Sequence, residues 1–385
     1  PVRHPVLSPR MSALPACEVT PSRCHVNRAA LRRNFARLGE ADRLMPVVKA
    51  DAYGHGLLPV ARTLAKAGAR RFAVGLVDEG SALREAGLSQ RIVPLLGQLT
   101  PDDWQRARAL DITPLVACLD DVARAAALAS ADRPWRVALK FDSGMGRLGF
   151  VPEEIPALLD ALRAAPLLRP ALALSHFAAA DTPEEEPYTL DQIARFSAMT
   201  DAVRAVFPDM ERSLDNSAGT LAWPQARFEV CRPGYAVYGG NPLAGTVWSG
   251  KGDALEWVMG FSAPVLQVRQ LTQGQSVSYG RIFTAPRDMR VAVLGCGYAN
   301  AVPRALSNTL PLRLHGRRVP QVGRICMGML MADLSALDNV RPGDRAWLLG
   351  GPPGPDDAVS PDEWAALLET IAYEILCLVG MTNPR

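Results

Sequence analysis

Short apolar runs alternate with amphipathic stretches from about Asn27 to about Gly240. Each run is long enough for a buried strand and too short for a helix. Eight such runs occupy residues 45–49, 71–77, 92–97, 112–117, 135–142, 171–177, 212–217 and 228–234. The helical patterns between them, several beginning with an acidic or hydroxyl residue, include residues 57–69, 78–87, 101–110, 120–130, 153–165 and 189–207. Eight β-then-α units within ~250 residues predict an α/β fold of the (β/α)8 TIM barrel type.

An open doubly wound sheet is the alternative arrangement for alternating strands and helices. Such a sheet is expected to carry a G-x-G-x-x-G turn after an early strand. The chain has no such sequence there. The barrel is therefore the predicted fold of the first part of the chain.

The pattern changes after about Ala254, where short alternating runs lie between turns that contain glycine and proline. These runs, at residues 263–268, 290–294, 312–314, 329–334 and 345–349, are typical of an all-β domain. Residues 361–377 have the pattern of a closing helix with Ser360 as its N-cap. We therefore predict an N-terminal extension at 1–25 that is partly disordered, a barrel at 26–253 and a mostly-β domain at 254–385.

Composition and charge exclude several classes of protein. With 48% hydrophobic and 21% charged residues over 385 positions, the chain has the composition of a soluble globular protein. The net charge is +3 and the basic residues occur in scattered pairs, which disfavours a nucleic-acid surface. No apolar run approaches the ~18 residues of a membrane span. Seven cysteines without a CxxC pair are typical of reduced thiols, so we predict a cytoplasmic protein with no nucleic-acid or membrane partner.

Lys49 lies where an apolar run ends and where Gly54 and Gly56 open a loop. A buried parallel strand rarely carries a lysine that has no function. Desolvation at such a position lowers the pKa of the amine, which can then act as a nucleophile and form a Schiff base. The alternative is a structural lysine whose ammonium group reaches solvent from the strand end. For a lone lysine this alternative is the better interpretation, so its neighbours must decide.

Further polar residues lie at or just beyond the ends of later predicted strands. They are Lys140 and Arg147 for strand five, His176 for strand six, Asn216 and Ser217 for strand seven, and Arg232, Gly234 and Tyr235 for strand eight. Because the C-terminal ends of barrel strands meet at one mouth, these side chains are expected to converge there. The loops after strands seven and eight commonly bind phosphate, and Ser217 and Gly234 can offer a hydroxyl and bare backbone N–H groups.

Nine segments resemble motifs of the alanine racemase family, and the resemblance extends from about Val26 over nearly the whole chain. The segments are VVKADAYGHG, LKFDSGMGRLG, SHFAAAD, NSAG, RPGYAVYGG, SVSYG, GCGYANAVPR, GRICMGMLM and AYEILC. The resemblance implies a racemase of small amino acids that uses pyridoxal 5'-phosphate and works as a homodimer with shared active sites. Racemisation needs an electron sink for the charge left on Cα and a base on each face of that carbon.

The resemblance also implies a role for individual residues. Lys49 is expected to hold the cofactor and to act as one base, and Tyr279 of the partner subunit is expected to be the second. Arg232 is expected to face the pyridine nitrogen. The expected cofactor contacts are Lys49, Tyr53, His176, Asn216, Ser217, Arg232, Gly234, Tyr235 and Tyr373. The expected substrate contacts are Arg147, Tyr298 and Met327, with Lys140 N-carboxylated and no metal ion.

Three segments depart from the family pattern. Asn300-Ala301 stand where the family usually has Asp-Gly, Gly328 stands where it has Asp, and residues 382–385 read Thr-Asn-Pro-Arg instead of Arg-Val-Pro-Arg. Gly328 removes a carboxylate beside the expected substrate anchor and would admit a larger or differently charged side chain. The first interpretation is racemisation of alanine, for peptidoglycan synthesis or for catabolism. The alternative is a broad-specificity racemase acting on serine, lysine or arginine.

Other classes of protein remain as alternatives. A pyridoxal-phosphate carrier protein is a barrel without a β domain, and the Tyr279 segment argues against it. A related decarboxylase would place a cysteine and an aspartate in the β domain. Cys326 is present there, but its flanking residues match the racemases better. A non-catalytic relative is the remaining alternative because of Asn300 and Gly328.

Overall fold

The structure, a computed structural model, describes residues 21–352 and 356–385. Most of the predicted disordered extension, residues 1–20, lies outside this part of the chain. The described residues form two compact units, one made of residues 24–260 and 360–385 and the other of residues 21–23, 261–352 and 356–359. Residues 360–385 thus belong to the unit of the barrel, whereas the sequence-based boundary counted them with the β domain.

Helices and strands alternate through most of the barrel unit. Its helices are α1 (Arg28–Leu38), α2 (Lys49–Tyr53), α3 (Leu57–Lys66), α4 (Val77–Glu85), α5 (Pro101–Ala109), α6 (Leu119–Leu128), α7 (Ile155–Ala164), α8 (Glu186–Arg204), α9 (Ser217–Ala222), α10 (Pro361–Leu367) and α11 (Ala372–Thr382). The chain enters this unit along β1 (Arg23–Val26), and the parallel strands are β2 (Arg71–Val74), β3 (Arg91–Pro94), β4 (Leu115–Val116), β5 (Trp135–Lys140), β6 (Leu168–Leu174) and β7 (Glu211–Ser213). Short 3-10 segments lie at Pro152–Glu154, Pro183–Glu185, Pro224–Ala226, Tyr235–Tyr238 and Ser249–Lys251.

The ring of parallel strands is closed by two short segments around residues 44–48 and 230–232. The Met45 N–H donates to the Cys231 carbonyl at 2.8 Å, which joins these two segments to each other. The Val48 N–H donates to the Ala73 carbonyl in β2, also at 2.8 Å. The Val230 N–H donates to the Arg212 carbonyl in β7 at 3.0 Å. The predicted TIM barrel is thereby confirmed.

Helix starts in the barrel follow the chemistry of their sequences. At α5 the Thr100 hydroxyl accepts from the Asp103 N–H at 3.1 Å, and the Asp103 carboxylate accepts from the Thr100 N–H at 3.0 Å. This reciprocal pair satisfies donors that the first helical turn leaves unpaired, and Pro101 at the first helical position needs no donor of its own. The same capping box starts α10, where the Ser360 hydroxyl accepts from the Glu363 N–H at 3.2 Å.

The predicted helix over 361–377 is wrong in one respect, because the structure has two helices there. The axes of α10 and α11 are bent by 112°. Glu369 between them has a φ of 53°, in the left-handed region that ends a right-handed helix. Within the described residues, no single helix is long and apolar enough to cross a membrane, and only this bent pair meets that criterion when the two are counted together.

The second unit is built from antiparallel strands. They are β8 (Met259–Leu271), β9 (Ser276–Val277), β10 (Phe283–Thr284), β11 (Met289–Leu294), β12 (Pro311–Leu314), β13 (Arg317–Val322), β14 (Leu330–Asp333) and β15 (Arg345–Leu349). Six of them follow the order β8-β11-β14-β13-β12-β15, and pairing of β15 with β8 closes the ring. Its 3-10 segments are Tyr279–Arg281, Tyr298–Asn300 and Arg304–Leu306. The predicted C-terminal β architecture is therefore confirmed.

The cysteines of the described chain are unpaired. They are Cys24, Cys118, Cys231, Cys296, Cys326 and Cys377. Cys17 lies outside the described residues. Burial of a thiol removes it from solvent and raises its pKa, as at Cys24, whose pKa rises to about 12.

Candidate active site

A cavity of about 390 Å³ opens at the C-terminal ends of the barrel strands. Its polar lining consists of cations, one histidine and one hydroxyl, and the rest is mainly leucine. The residues are Lys49, Leu95, Leu96, Leu99, Leu115, Lys140, Arg147, Leu148, Leu174, Ser175, His176 and Arg232. All four cations and the histidine that the sequence analysis placed at this mouth are among them, whereas Asn216, Ser217 and Tyr235 are not. An apolar wall around several cations suits a ligand that carries negative charge at one end.

Lys49 lies at the end of the first barrel strand and begins the left-handed turn α2. Burial lowers the pKa of its amine, and the nearby positive charge of Arg147 lowers it further. A lysine in this environment carries a neutral, nucleophilic amine at lower pH than one in water. The predicted desolvated lysine is therefore present at the cavity.

Lys140 ends β5 and is 8% exposed. Burial, followed by the charges of Arg232 and Arg147, lowers the pKa of its amine to about 7. About half of the Lys140 amines are then uncharged near neutral pH. Two arginines beside an ammonium group make the charged form unfavourable, so this position favours either the neutral amine or an anionic derivative of it.

The loop that carries Arg147 is organised by Asp142. One carboxylate oxygen accepts from the N–H groups of Gly144, Met145 and Gly146, at 2.8, 2.8 and 3.1 Å, and the other accepts from the Arg147 N–H at 2.8 Å. Burial opposes ionisation of Asp142, but these four donors outweigh it and hold its pKa below the usual value. Asp142 thus fixes the backbone from which the Arg147 side chain reaches the cavity.

Arg232 is a buried cation held by backbone and hydroxyl acceptors. Its Nη1 donates to the carbonyl and the hydroxyl of Ser213 at 2.7 and 2.6 Å, and its Nη2 donates to the Ser175 carbonyl. The Nη2 also lies 3.3 Å from Nδ1 of His176. Burial lowers the pKa of Arg232 to about 10, so the guanidinium stays charged at neutral pH. Burial and the surrounding cations hold the pKa of His176 well below its usual value, so the imidazole is neutral.

A cradle for an anion lies beside this cavity and is formed by Tyr53, Ser217, Gly234 and Ala236. The Ser217 hydroxyl accepts from the N–H groups of Gly234 and Ala236 at 3.0 and 3.1 Å. A Cβ at Gly234 would lie 2.4 Å from the Tyr53 hydroxyl, so only glycine fits there. Asn216 caps α9 by accepting from the Gly219 N–H at 2.9 Å. The cradle therefore combines two hydroxyls, a glycine with no side chain and a helix start, which are features of protein phosphate sites.

Tyr235 and Tyr373 close the outer side of the cradle. Their rings stack with centroids 3.9 Å apart, and the Tyr235 hydroxyl donates to the Asp362 carboxylate at 2.9 Å. The ring centroids of Tyr53 and Tyr373 are 6.1 Å apart. Burial raises the pKa of all three phenols, so each remains a hydroxyl donor at neutral pH. Tyr373 reaches this place on α11, which packs in the barrel unit.

The remaining predicted site residues form a separate surface on the β unit. Tyr279 is 70% exposed and Met327 is 62% exposed, with Tyr298 also exposed. The Ser278 hydroxyl donates to the Arg324 carbonyl at 2.6 Å, and the Tyr298 N–H donates to the Cys326 carbonyl at 3.0 Å. These bonds link the segments of Tyr279, Met327 and Tyr298 into one patch. Exposed aromatic and methionine side chains are typical of surfaces that contact a ligand or another chain.

Comparisons with known proteins agree with this arrangement. Models of the alanine racemase N-terminal and C-terminal domains match residues 26–242 and 258–385. An alanine racemase from Nitratidesulfovibrio vulgaris (strain Miyazaki F) is 49% identical over 361 residues, which cover 94% of this chain and 96% of that protein. The chain belongs to the alanine racemase family of enzymes. Another alanine racemase, from Halorhodospira halophila, is 40% identical over 92% of this chain and 94% of its own length.

Solved alanine racemases have the same fold. The biosynthetic enzyme from Pseudomonas aeruginosa superposes with a TM-score of 0.82 at 34% identity, over 95% of this chain and 98% of that chain. The enzyme from Streptomyces coelicolor superposes with a TM-score of 0.85 at 35% identity, over 96% and 98% of the two chains. Both likenesses extend through the barrel and the β unit, so the family assignment applies to the whole described chain.

The departures from the alanine racemase pattern have clear structural settings. A Cβ at Gly328 would have no described atom within 4 Å, so the position is open to solvent. Asn300 takes part in local bonding, since its amide oxygen accepts from the Gly297 N–H at 3.2 Å. Ala301 has a φ of 60°, the region that favours glycine, at the position where the family usually has glycine. Ala301 thus adopts the left-handed conformation at a cost of ~1 kcal/mol.

Three parts of the site were missed by sequence reasoning. The first is Asp142, although Asp before Ser-Gly is a known signal for side-chain bonding to nearby backbone. The second is the leucine wall, because the leucines belong to different loops and strands and share no motif. The third is Asp215, which is fully buried between the seventh strand and the Asn216 cap. Nothing in the local sequence distinguishes Asp215 from an exposed turn aspartate.

A cleft of about 980 Å³ also lies at the opposite ends of the barrel strands. It is larger than the mouth cavity and is lined by several arginines, of which Arg71 and Arg91 both pair with Glu211 at 2.9 Å. Its lining includes no lysine, histidine, serine or tyrosine. Conserved chemistry in barrels lies at the C-terminal face, so we place the active site at the mouth cavity despite its smaller volume.

Asp215 should make stability depend on pH. Neither carboxyl oxygen has a hydrogen bond of good geometry in the described structure, although the Cys231 thiol is nearby. Burial raises the pKa of Asp215 from 3.8 to about 7, so the folded protein binds this proton more tightly than the unfolded chain. Its contribution to stability is therefore greatest below pH ~4 and is lost as the pH rises to about 7.

We expect Asp215→Asn to raise the free energy of unfolding at pH 8 by roughly 1–3 kcal/mol and to change it little at pH 4. Urea unfolding of wild type and variant at both pH values measures the change in this free energy. Asp160→Asn is the matched control, because Asp160 forms an exposed pair with Arg163 and should show no such pH dependence. An equal effect of Asp215→Asn at both pH values would mean that the carboxyl is ionised throughout.

Proposed function

We propose that this protein interconverts L-alanine and D-alanine with pyridoxal 5'-phosphate as cofactor and with Lys49 and Tyr279 as the two bases. The observation that carries the proposal is the position of the desolvated Lys49 amine in a cationic cavity beside the cradle. Membership of the alanine racemase family supports the same substrate class. The D-alanine would serve peptidoglycan synthesis or be consumed in catabolism.

The residues present fit the cofactor. The cradle is closed to any side chain at position 234, holds the Ser217 hydroxyl in place through two backbone N–H groups and is flanked by neutral tyrosine hydroxyls, which suits a phosphate. When bound, pyridoxal phosphate supplies the electron sink for the charge left on the substrate Cα. Lys49 would hold it covalently, with Tyr53, Asn216, Ser217, Gly234, Tyr235 and Tyr373 around the phosphate and His176 and Arg232 beside the ring.

Arg232 would be the residue that faces the pyridine nitrogen of the bound cofactor. A guanidinium with a pKa of about 10 donates an N–H but keeps its proton at neutral pH. His176, 3.3 Å away, is neutral and adds no positive charge. Arg232 would therefore bond to the pyridine nitrogen without giving it a proton, which would weaken the electron sink that the cofactor supplies and disfavour side reactions such as transamination.

Lys49 and Arg147 have complementary tasks. With its pKa lowered by burial and by Arg147, Lys49 is suited to accept a proton from the substrate Cα and to return it. Arg147 can bind the substrate carboxylate with two parallel N–H bonds, which orients the Cα hydrogen. The loop bonds of Asp142 hold Arg147 in place for that contact.

Tyr279 is the second base, and it is proposed to come from the partner subunit of a homodimer. Its side chain is largely exposed on the β unit, next to Tyr298 and Met327, which we propose as substrate contacts. In the shared site this phenol would lie beside the cations of the mouth cavity, which attract the negative charge of a tyrosine base. A two-fold dimer makes both shared sites equivalent.

A broad-specificity racemase is the second candidate, and Gly328 is the observation that favours it. Glycine at this position gives the patch of Tyr279, Tyr298 and Met327 neither the bulk nor the charge of the usual aspartate, and the space around it is empty. Larger or charged side chains would then be accepted. We place the enzyme in the cytoplasm, since the unpaired cysteines of the described chain suit a reducing compartment.

Purified protein should be yellow and should racemise L-alanine. Borohydride reduction should fix the cofactor on Lys49, because its amine is the nucleophile, and peptide mass spectrometry locates the label. A panel containing alanine, serine, lysine and arginine separates the two candidate substrate ranges. Label recovered on Lys140 would overturn the assignment of Lys49, and racemisation of none of the four amino acids would overturn the function.

The shared site predicts complementation between two inactive variants. Lys49→Ala and Tyr279→Phe should each lose nearly all activity. After mixing and reassociation, a heterodimer holds one doubly altered site and one intact site, so random pairing restores roughly a quarter of wild-type activity. Racemisation assays before and after mixing measure this. If heterodimers form without recovery, both bases come from one subunit.

Lys140 is proposed to be N-carboxylated. Its pKa of about 7 leaves a neutral amine able to attack carbon dioxide, and the product would be an anion between Arg147 and Arg232. Carbon-13 NMR after equilibration with labelled bicarbonate should show a carbamate signal that is missing in Lys140→Ala. A wild-type spectrum without this signal would contradict the modification.

A further inference from the structure

The turn after Lys49 has an unusual handedness. Ala50, Asp51, Ala52 and Tyr53 have φ values of 52°, 52°, 56° and 53°. Left-handed helical backbone costs roughly 1–2 kcal/mol for each residue that is not glycine. Four such residues in succession persist only where surrounding structure holds them, and strain of this kind is concentrated at functional sites.

Arg385 is bonded to this turn at two points and to α11 at a third. Its Nε donates to the Gly54 carbonyl at 3.1 Å, and its Nη2 donates to the Asp51 carboxylate. The same Nη2 donates to the Gly380 carbonyl in α11 at 2.9 Å. The other oxygen of Asp51 accepts from the Leu57 N–H at 2.7 Å, where α3 begins. One guanidinium thus connects the end of the turn, its middle and the packed helix.

The segment that carries Arg385 is itself anchored. The Pro384 carbonyl accepts from the Cys24 N–H in β1 at 2.8 Å. The buried Asn383 side chain donates to the Val379 carbonyl at 2.9 Å. Arg385 therefore approaches the turn from a fixed backbone, which reduces the entropy lost when its side chain is ordered.

The helix and the turn also meet without side chains between them. A Cβ at Gly380 would lie 2.0 Å from the Gly54 carbonyl oxygen, and a Cβ at Gly54 would lie 2.5 Å from the Leu376 carbonyl oxygen. This contact of glycine with glycine brings the Gly54 carbonyl within reach of Arg385. The turn is thus held by backbone packing on one side and by the guanidinium on the other.

We infer that Arg385 is a positioning residue for Lys49, acting through Asp51 and Gly54 to hold the left-handed turn that directs the Lys49 amine into the mouth cavity. The inference rests on the proposed function for its link to catalysis. The pair of Arg385 and Asp51 is about one third exposed, so its charge attraction is screened. The effect therefore lies in the geometry of the three bonded groups more than in ion-pair energy.

Hydrogen exchange of the holoenzyme tests the structural half of the proposal. In wild type the Ala52, Gly54 and Gly56 amides bond to the carbonyls of Val48, Ala50 and Asp51 at 2.9 to 3.0 Å. Arg385→Met and Asp51→Asn should each accelerate exchange in the peptide 49–57 by ~tenfold, and the double variant by no more than the stronger single one. Arg163→Met is the control, since it removes an exposed pair with Asp160 on α7. Unchanged exchange in both variants overturns the proposal.

Kinetics test the catalytic half. Arg385→Met should lower kcat for alanine racemisation by ~tenfold with KM changed less than about threefold, because the amine is misplaced while the substrate contacts remain. Arg385→Lys should recover part of kcat, since an ammonium can bond one or two of the three acceptors.

Faster exchange with unchanged kcat overturns the link to Lys49. Wild-type protein that racemises nothing refutes the proposed function instead, and the exchange result still decides whether Arg385 holds the turn. Failure of all three variants to fold also overturns the proposal.

Discussion

Positive charge concentrated in a desolvated cavity is the constraint on which the site depends. Lys49, Lys140, Arg147 and Arg232 all line the barrel mouth, and the lining includes no carboxylate. Burial and mutual repulsion lower the pKa of both lysines and of Arg232. Arg232 remains charged because the intrinsic pKa of a guanidinium is so high, whereas a lysine can lose its proton. One electrostatic environment thus yields permanent donors and reactive amines side by side, and it favours a ligand with negative charge.

The scaffold supports this arrangement by satisfying the cations with neutral acceptors. Arg232 is held by carbonyl and hydroxyl oxygens from the sixth and seventh strands, which bond it without neutralising it. Asp215, a carboxyl group near Arg232, has a pKa raised to about 7 by burial and is therefore largely protonated below neutral pH. The Asp142 carboxylate accepts hydrogen bonds from four backbone N–H groups. The negative groups around the site therefore organise the backbone and leave the cavity cationic.

The barrel, its order of elements and most of the site residues could be predicted from the sequence. Strand and helix periods are local properties, and Lys140, His176 and Arg232 each follow an apolar run that ends at the mouth. The closing helix over 361–377 was predicted as one helix because its composition is continuous, whereas Glu369 adopts a left-handed conformation that composition does not reveal. The leucine wall and Asp215 were missed, because burial of a residue depends on what distant segments place around it.

The sequence by itself determined the fold class, the two-part organisation and the chemical identity of the groups at the strand ends. These follow from patterns within a few residues, such as Lys49 before Gly54 and Gly56. Only the tertiary structure decided the handedness of the turn after Lys49, the protonation of Lys140 and the contact of Arg385 with Asp51 and Gly54. A backbone conformation that is locally unfavourable exists only when contacts from distant parts of the chain outweigh its cost, and a pKa responds to charges and burial in space.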